Sequence, residues 1–170
     1  PPHTIIVNEI MYAPPSSEPE WIELYNNSAS TVDLKDWKLS NKSSSTKYLI
    51  SNQHVFLNPQ QFILVTKDVA RLGNVYTAIP AVILEIPTLP TFHFTNSNDA
   101  VAVFDSRNAP MDSVLYSSTW GGTNNRSLER LEPDGSSQSQ SNWGTSVNPI
   151  RSTPGTKNSL TSKDFDLVVQ

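Results

Sequence analysis

The chain has no cysteine among its 170 residues, so disulfide staples and thiolate metal sites are excluded and the core alone must hold the fold. Charge is scarce too. Asp, Glu, Lys and Arg make up 16% of the sequence, so solubility must come mainly from Ser, Thr, Asn and Gln, a surface that suits exported proteins. The formal net charge is -4 and Lys and Arg cluster nowhere, so the phosphate-neutralising surface that nucleic-acid binding requires is missing. Long hydrophobic runs are absent: the stretch 81–86 is far too short for a spanning helix, and no membrane insertion is expected. No charged-then-apolar leader precedes Pro1. The expectation is a removed signal or a segment taken from the interior of a longer protein.

A sustained apolar period of 3.6 is also lacking. Short runs rich in Val, Ile, Phe, Tyr and Thr recur instead between clusters of Pro, Gly, Asn, Asp and Ser. Thirteen prolines oppose long helices. Strands are expected at 5–11, 20–25, 37–40, 48–50, 54–57, 62–66, 82–86, 100–104, 113–116 and 127–131. That many short strands in one domain-sized chain imply a sandwich or a barrel. The Asx- and Pro-containing turn 105–112 should join 100–104 and 113–116 as a hairpin. Segment 67–73 reads as a helical turn, and 132–142, with its Pro-Asp-Gly and its Ser and Gln, as a long loop.

Turn formers replace strand formers at 152–159, which suggests a domain boundary, and 165–169 resumes an apolar pattern. The expected division is a linker remnant at 1–5, one domain over 6–158, and a tail or the start of a following domain at 159–170.

No Gly-x-Ser-x-Gly elbow presents a nucleophilic serine, and His3, His54 and His93 are the only imidazole bases. Glu9, Glu18, Glu20 and Glu23 fall in the first strands, and two converging acids can do glycosidase chemistry or bind calcium. Strand alternation puts Glu20 and Glu23 on opposite faces. Solvated edge charges are therefore the expectation, with calcium as an alternative. In 20–25, Ile22 and Leu24 should face the core, leaving Trp21, Glu23 and Tyr25 on a half-wet or partner-facing side. The loop 105–112 lacks the Gly and terminal Glu of an EF-hand loop, and Asn96 to Asp99 reads as a turn.

Aromatic faces stack well on sugars. Trp37 reads as an inward residue, whereas Trp120 and Trp143 sit at glycine-flanked loop ends and are the candidate ligand contacts. Asn26, Asn41 and Asn125 head glycosylation patterns that matter only in a eukaryotic secretory setting. No catalytic, cofactor-binding or metal-binding residue set emerges, and the chain is not expected to be an enzyme.

In order along the chain stand Val7-Asn-Glu-Ile-Met-Tyr12, Glu20-Trp-Ile-Glu-Leu-Tyr-Asn26, Val32-Asp-Leu-Lys-Asp-Trp-Lys-Leu39 and Phe62-Ile-Leu-Val-Thr66. They are followed by Asn98-Asp-Ala-Val-Ala-Val-Phe104, Asp112-Ser-Val-Leu-Tyr116, Arg126-Ser-Leu-Glu-Arg130 and Ser152-Thr-Pro-Gly155. This series resembles the lamin-tail domain in its bacterial form. The resemblance implies an all-β, immunoglobulin-like antiparallel sandwich without catalytic residues. It also implies a place beside other modules of an exported or surface protein. The expected function is a non-catalytic accessory, spacer or protein-interaction module, with a carbohydrate-binding or calcium-stabilised adhesion module as alternatives. Proteins, surface glycans and neighbouring domains of the same polypeptide are the expected partners, outside the cell or at its surface. The chromatin role of the animal domain is not carried over, because no heptad rod precedes Pro1 and acid exceeds base. The sequence departs from the compact family pattern over 68–94, where Pro80, Pro87 and Pro90 interrupt an apolar stretch that should cover an open edge or present a partner surface.

Overall fold

In the computed structural model, which describes residues 2–41, 46–86 and 93–160, the β-branched runs form the strands of two facing sheets. The first strand, β1 (Ile5–Met11), is buried at every position, so it must be a central strand covered on both faces. Its neighbours are β2 (Trp21–Asn26) and β11 (Leu128–Arg130). The sheet continues through β7 (Phe62–Thr66) and β8 (Val82–Glu85) on one side and ends at β12 (Trp143–Thr145) on the other, giving the order β12-β11-β1-β2-β7-β8.

The second sheet has the order β10-β9-β4-β5, from β4 (Lys38–Asn41), β5 (Tyr48–Leu49), β9 (Asn98–Phe104) and β10 (Pro110–Ser117). A small ladder of β3 (Val32–Asp33) with β6 (Phe56–Leu57) completes the set. Between the sheets lies one apolar core that includes Val7, Ile10, Ile22, Leu24, Trp37, Val101, Val103 and Val114. The fold is an all-β, immunoglobulin-like sandwich.

The β9–β10 hairpin forms, with β9 starting two residues earlier than the sequence suggested and β10 starting three residues earlier and ending one later. The Asp105 carboxylate accepts from the amides of Arg107 and Ala109, which closes its turn. The antiparallel expectation needs one amendment: β8 runs parallel to β7. A parallel neighbour requires a crossover, and it passes through α1 (Val69–Val75), which Asp68 caps by accepting from the Arg71 amide. That helix is longer than the single turn expected at 67–73, and it lies over the outer face of the six-stranded sheet. There Leu72 and Tyr76 pack on Met11, Trp21 and Leu64. The outer face of β2 is covered at Trp21 and Glu23, against the half-wet side expected there, while Tyr25 stays half-buried at the edge of a cleft. Trp21 is 1% exposed and Glu23 is fully buried.

Packed residues reach both ends of the described chain. Ile5 opens β1 fully buried, and Ser159 and Leu160 donate their amides to Glu129. Pro87, Pro90 and the apolar run 165–169 lie outside the described residues.

Candidate functional site

Strand register assembles a row of acids that the sequence does not advertise. Glu9 stands opposite Glu129 on one side and opposite Glu23 on the other, so three adjacent strands each contribute one carboxyl to the same outer face. The β1–β2 register shifts between Val7 and Glu9, and the intervening Asn8 turns its amide onto Glu23, 2.8 Å away.

Residues 151–160, which contain no strand, cross this row as a strap. Thr153 donates its amide to Glu9 at 2.9 Å, and Gly155 donates its amide to Glu23 at 2.6 Å. The amides of Ser159 and Leu160 reach Glu129 at 2.8 and 3.0 Å. Gly155 has a φ of 76°, and a Cβ there would press on Pro80 and Ala81 at 3.0–3.1 Å, so the strap's close approach depends on glycine.

The three acids are fully buried. Solvated edge charges were the expectation, and Glu9 and Glu23 overturn it, because the strap closes over an outer face that the sheet alone would leave open. Burial, together with the neighbouring Glu129, pushes the Glu9 carboxyl up to about 8. Burial and then Glu9 raise Glu23 well above the usual carboxylate range. The Thr153 hydroxyl lies 3.0 Å from Glu9 Oε2 and 3.0 Å from Glu129 Oε1, yet it has a single hydrogen. It donates to one acid, and the second contact is complete only when the other acid carries a proton and donates to Thr153 Oγ1.

Beside this row, Glu18 is buried and accepts from the Trp21 indole at 3.0 Å and the Tyr76 hydroxyl at 2.6 Å, with the Arg151 guanidinium 3.4 Å away. Glu20, of opposite parity, stands apart. It accepts from the Phe94 amide and lies 3.8 Å from Lys67. Burial raises its carboxyl.

A second buried network ties the two sheets together. Arg130 on β11 is 3.1 Å from Asp112 on β10, and both side chains are almost wholly enclosed. The guanidinium also donates to the carbonyls of Val7, Gly135 and Glu132 and to the Ser137 hydroxyl. Asp112 accepts from the Val7 amide and from Ser137. Burial lowers the Arg130 pKa, and Asp112 opposes that.

Trp143, expected at an exposed loop end, is 1% exposed within β12. Its indole N–H donates to the Ser137 carbonyl at 3.1 Å, and its ring lies 5.5 Å from the Arg130 guanidinium, so pairing of β12 with β11 removes it as a ligand contact. Trp120 is half-buried against the main core and keeps part of its ring at the surface. Trp37 is inward, as read.

His54 is exposed, with Nδ1 2.6 Å from Asp33, and this contact holds Asp33 below its ordinary value. His93 is exposed in a loop, and His3 lies 3.9 Å from Asp112. Asn26 and Asn41, heads of two glycosylation patterns, are buried and bonded to backbone carbonyls, whereas Asn125 is exposed. Among the described residues no group of three or more His, Asp or Glu side chains is arranged to hold a metal ion.

Two clefts flank the strap. One, of about 530 Å³, lies between it and the segment after α1, with Tyr76, Pro80, Ile150, Arg151 and Thr156 in its wall. The other, of about 290 Å³, is bordered by Tyr25, Phe62, Leu131, Pro133, Lys157 and Leu160.

Glu129, inside the Arg126–Arg130 motif, and the turn-forming run 152–159 are visible in the sequence, but nothing there places them at one site. The available signal was the Thr153-Pro-Gly155 turn beside hydroxyl and amide side chains, but its target could be found only from strand pairing.

A family model described as the lamin tail domain matches residues 1–118. The match includes Glu9 and Glu23 and ends before Glu129 and the strap. Among solved structures the chain is similar to a DUF4876 family protein from Bacteroides thetaiotaomicron VPI-5482, at 11% identity and a TM-score of 0.50, covering 95% of this chain and 70% of that one. At that identity the likeness speaks for the fold alone. No curated protein matches.

Proposed function

The chain belongs to the lamin tail domain family of non-catalytic, immunoglobulin-like domains, and from that premise we propose that it serves as an accessory, spacer or protein-interaction module of a larger exported or surface protein. What supports this is a body closed on itself. Its buried acids spend their acceptor atoms on the protein's own amides and hydroxyls, and its buried arginine spends its donors on carbonyls and Asp112. Groups so engaged are scaffold, because chemistry on a substrate needs them free to meet it. The low charge and the Ser, Thr and Asn surface support export, and neighbouring domains of the same polypeptide are its first partners.

Two measurements test the reading. Fractionation of cells producing the natural polypeptide, followed with an antibody to this domain, should place it at the surface or in the medium; recovery in the cytosol alone rejects export. The isolated domain should not turn over chromogenic ester, phosphodiester or glycoside substrates, and turnover that disappears in Glu9→Gln would make it an enzyme.

A further inference from the structure

We propose that residues 151–160 act as a proton-gated strap, held on the outer face while Glu9, Glu23 and Glu129 share protons and released locally, with the sandwich intact, when those protons leave.

The geometry asks for a trapped proton. One Thr153 hydroxyl hydrogen serves two carboxyls at equal distance, and the three acids sit in register on neighbouring strands. Like charges directly opposite each other on a sheet repel, and buried ones lack water to screen them. Among the described residues no Lys or Arg pairs with any of the three.

The charged and titratable groups around them are committed elsewhere. Arg130, on the same strand as Glu129, turns to Asp112. Arg151 of the strap bonds the Asn125 carbonyl and approaches Glu18. Arg126 bonds the carbonyls of Ser146 and Asn148, and Lys157 is exposed. Glu18, from the segment after β1, and Tyr76, from the end of α1, bond each other. None supplies a counter-charge, so a second and third ionised carboxylate on this face must find water instead.

The strap lies outside both sheets' ladders. Four of its amides end on the acids themselves, and its other outside ties include the Arg151 carbonyl to Ser127, the Arg151 guanidinium to the Asn125 carbonyl and Glu18, the Tyr76–Ser152 contact, the Ser159 hydroxyl to the Val147 amide and Ser146, and Asn158 to Asn8 and the Arg130 carbonyl; none belongs to a strand ladder. The sheet beneath is held by continuous ladders from β11 through β7 and by the core. Segments outside the ladders open locally before the body unfolds. Release would join the two flanking clefts into one groove with the acids as its floor. The upward displacement of Glu9 and Glu23 sets the opening on the alkaline side of neutrality.

Amide exchange from pH 6 to pH 9, corrected for intrinsic rates, is the test. Protection of the Thr153, Gly155, Ser159 and Leu160 amides should fall by at least about tenfold, the factor for one unit of displaced pKa, while the Ile10 and Leu24 amides keep theirs. Carbon-13 signals of the Glu9 and Glu23 carboxyls should titrate over the same interval. Unchanged strap protection overturns the proposal, as does a loss shared equally by Ile10 and Leu24, or carboxyl titration in a different interval. In Glu9→Gln the loss should shift to higher pH or vanish. If that variant does not fold, Glu129→Gln makes the same comparison, and an unshifted loss in the folded variant counts against the strap.

Discussion

Glu9 and Glu129 face each other across β1 and β11, and both lie 3.0 Å from the one hydroxyl of Thr153. One donor hydrogen serves both contacts, and burial with Glu129 alongside makes the Glu9 carboxyl hold its proton. The stability of the domain is therefore tied to pH through residues that in an unfolded chain would be ordinary glutamates.

The sign follows from where the proton sits. Unfolded, Glu9 loses it near its ordinary value of 4.5; folded, it keeps it to about 8. Between these values the folded state binds more protons, so stability is fully present below about 4.5 and is lost as pH rises through 8. The urea midpoint should fall from pH 5 to pH 9, each displaced unit corresponding to about 1.4 kcal/mol, and Glu9→Gln should flatten the slope. A midpoint that rises over this range contradicts the assignment.

Arg130 and Asp112 form a buried pair that joins the two sheets. Arg130→Met or Asp112→Asn alone strands a buried partner and should cost about 3–5 kcal/mol. Because most of that cost is the orphaned charge, Arg130→Met combined with Asp112→Leu should cost less than the two single changes added together. A strictly additive double-mutant cycle would show that the two side chains do not act as a pair.

Trp143 and Trp120 should separate sharply. Trp143→Ala empties a packed, hydrogen-bonded site and should cost about 3–5 kcal/mol. Trp120→Ala, half-exposed, should cost clearly less. On a glycan array, binding that is lost in Trp120→Ala while the melting curve is kept would establish the sugar-binding alternative, and binding that survives would remove it.

Gly122 has a φ of 73°, and a Cβ on it would meet the Tyr12 ring at 2.6 Å and Leu128 at 2.8 Å. The left-handed backbone alone should cost Gly122→Ala about 1–3 kcal/mol, with the clash added. Thermal denaturation of the variant checks this, and an unchanged melting temperature would mean that the loop re-routes.

Calcium or EDTA should leave the melting midpoint of the wild-type domain unchanged, because the buried carboxyls are already met by protein donors. An upward shift with calcium would restore the calcium-stabilised alternative.

Local chemistry wrote much of this architecture into the chain. Val, Ile, Phe and Tyr alternating between turn formers place β1, β2, β7 and the β9–β10 hairpin within a few residues of where they lie, and the ordered motifs from Val7 to Gly155 name the sandwich. Alternation also tells which face a side chain takes: Ile22 and Leu24 inward, Glu23 outward. It cannot tell whether the outward face is covered, since that depends on what arrives from elsewhere in the chain. The amides that bury Glu9 and Glu23 belong to Thr153 and Gly155, 144 and 132 residues away. Trp143 is enclosed only because its short strand pairs with Arg130. Strand position and facing follow from near neighbours and are legible in the sequence, whereas the protonation of the acid row and the loss of Trp143 from the surface are consequences of long-range pairing, which only the tertiary structure decided.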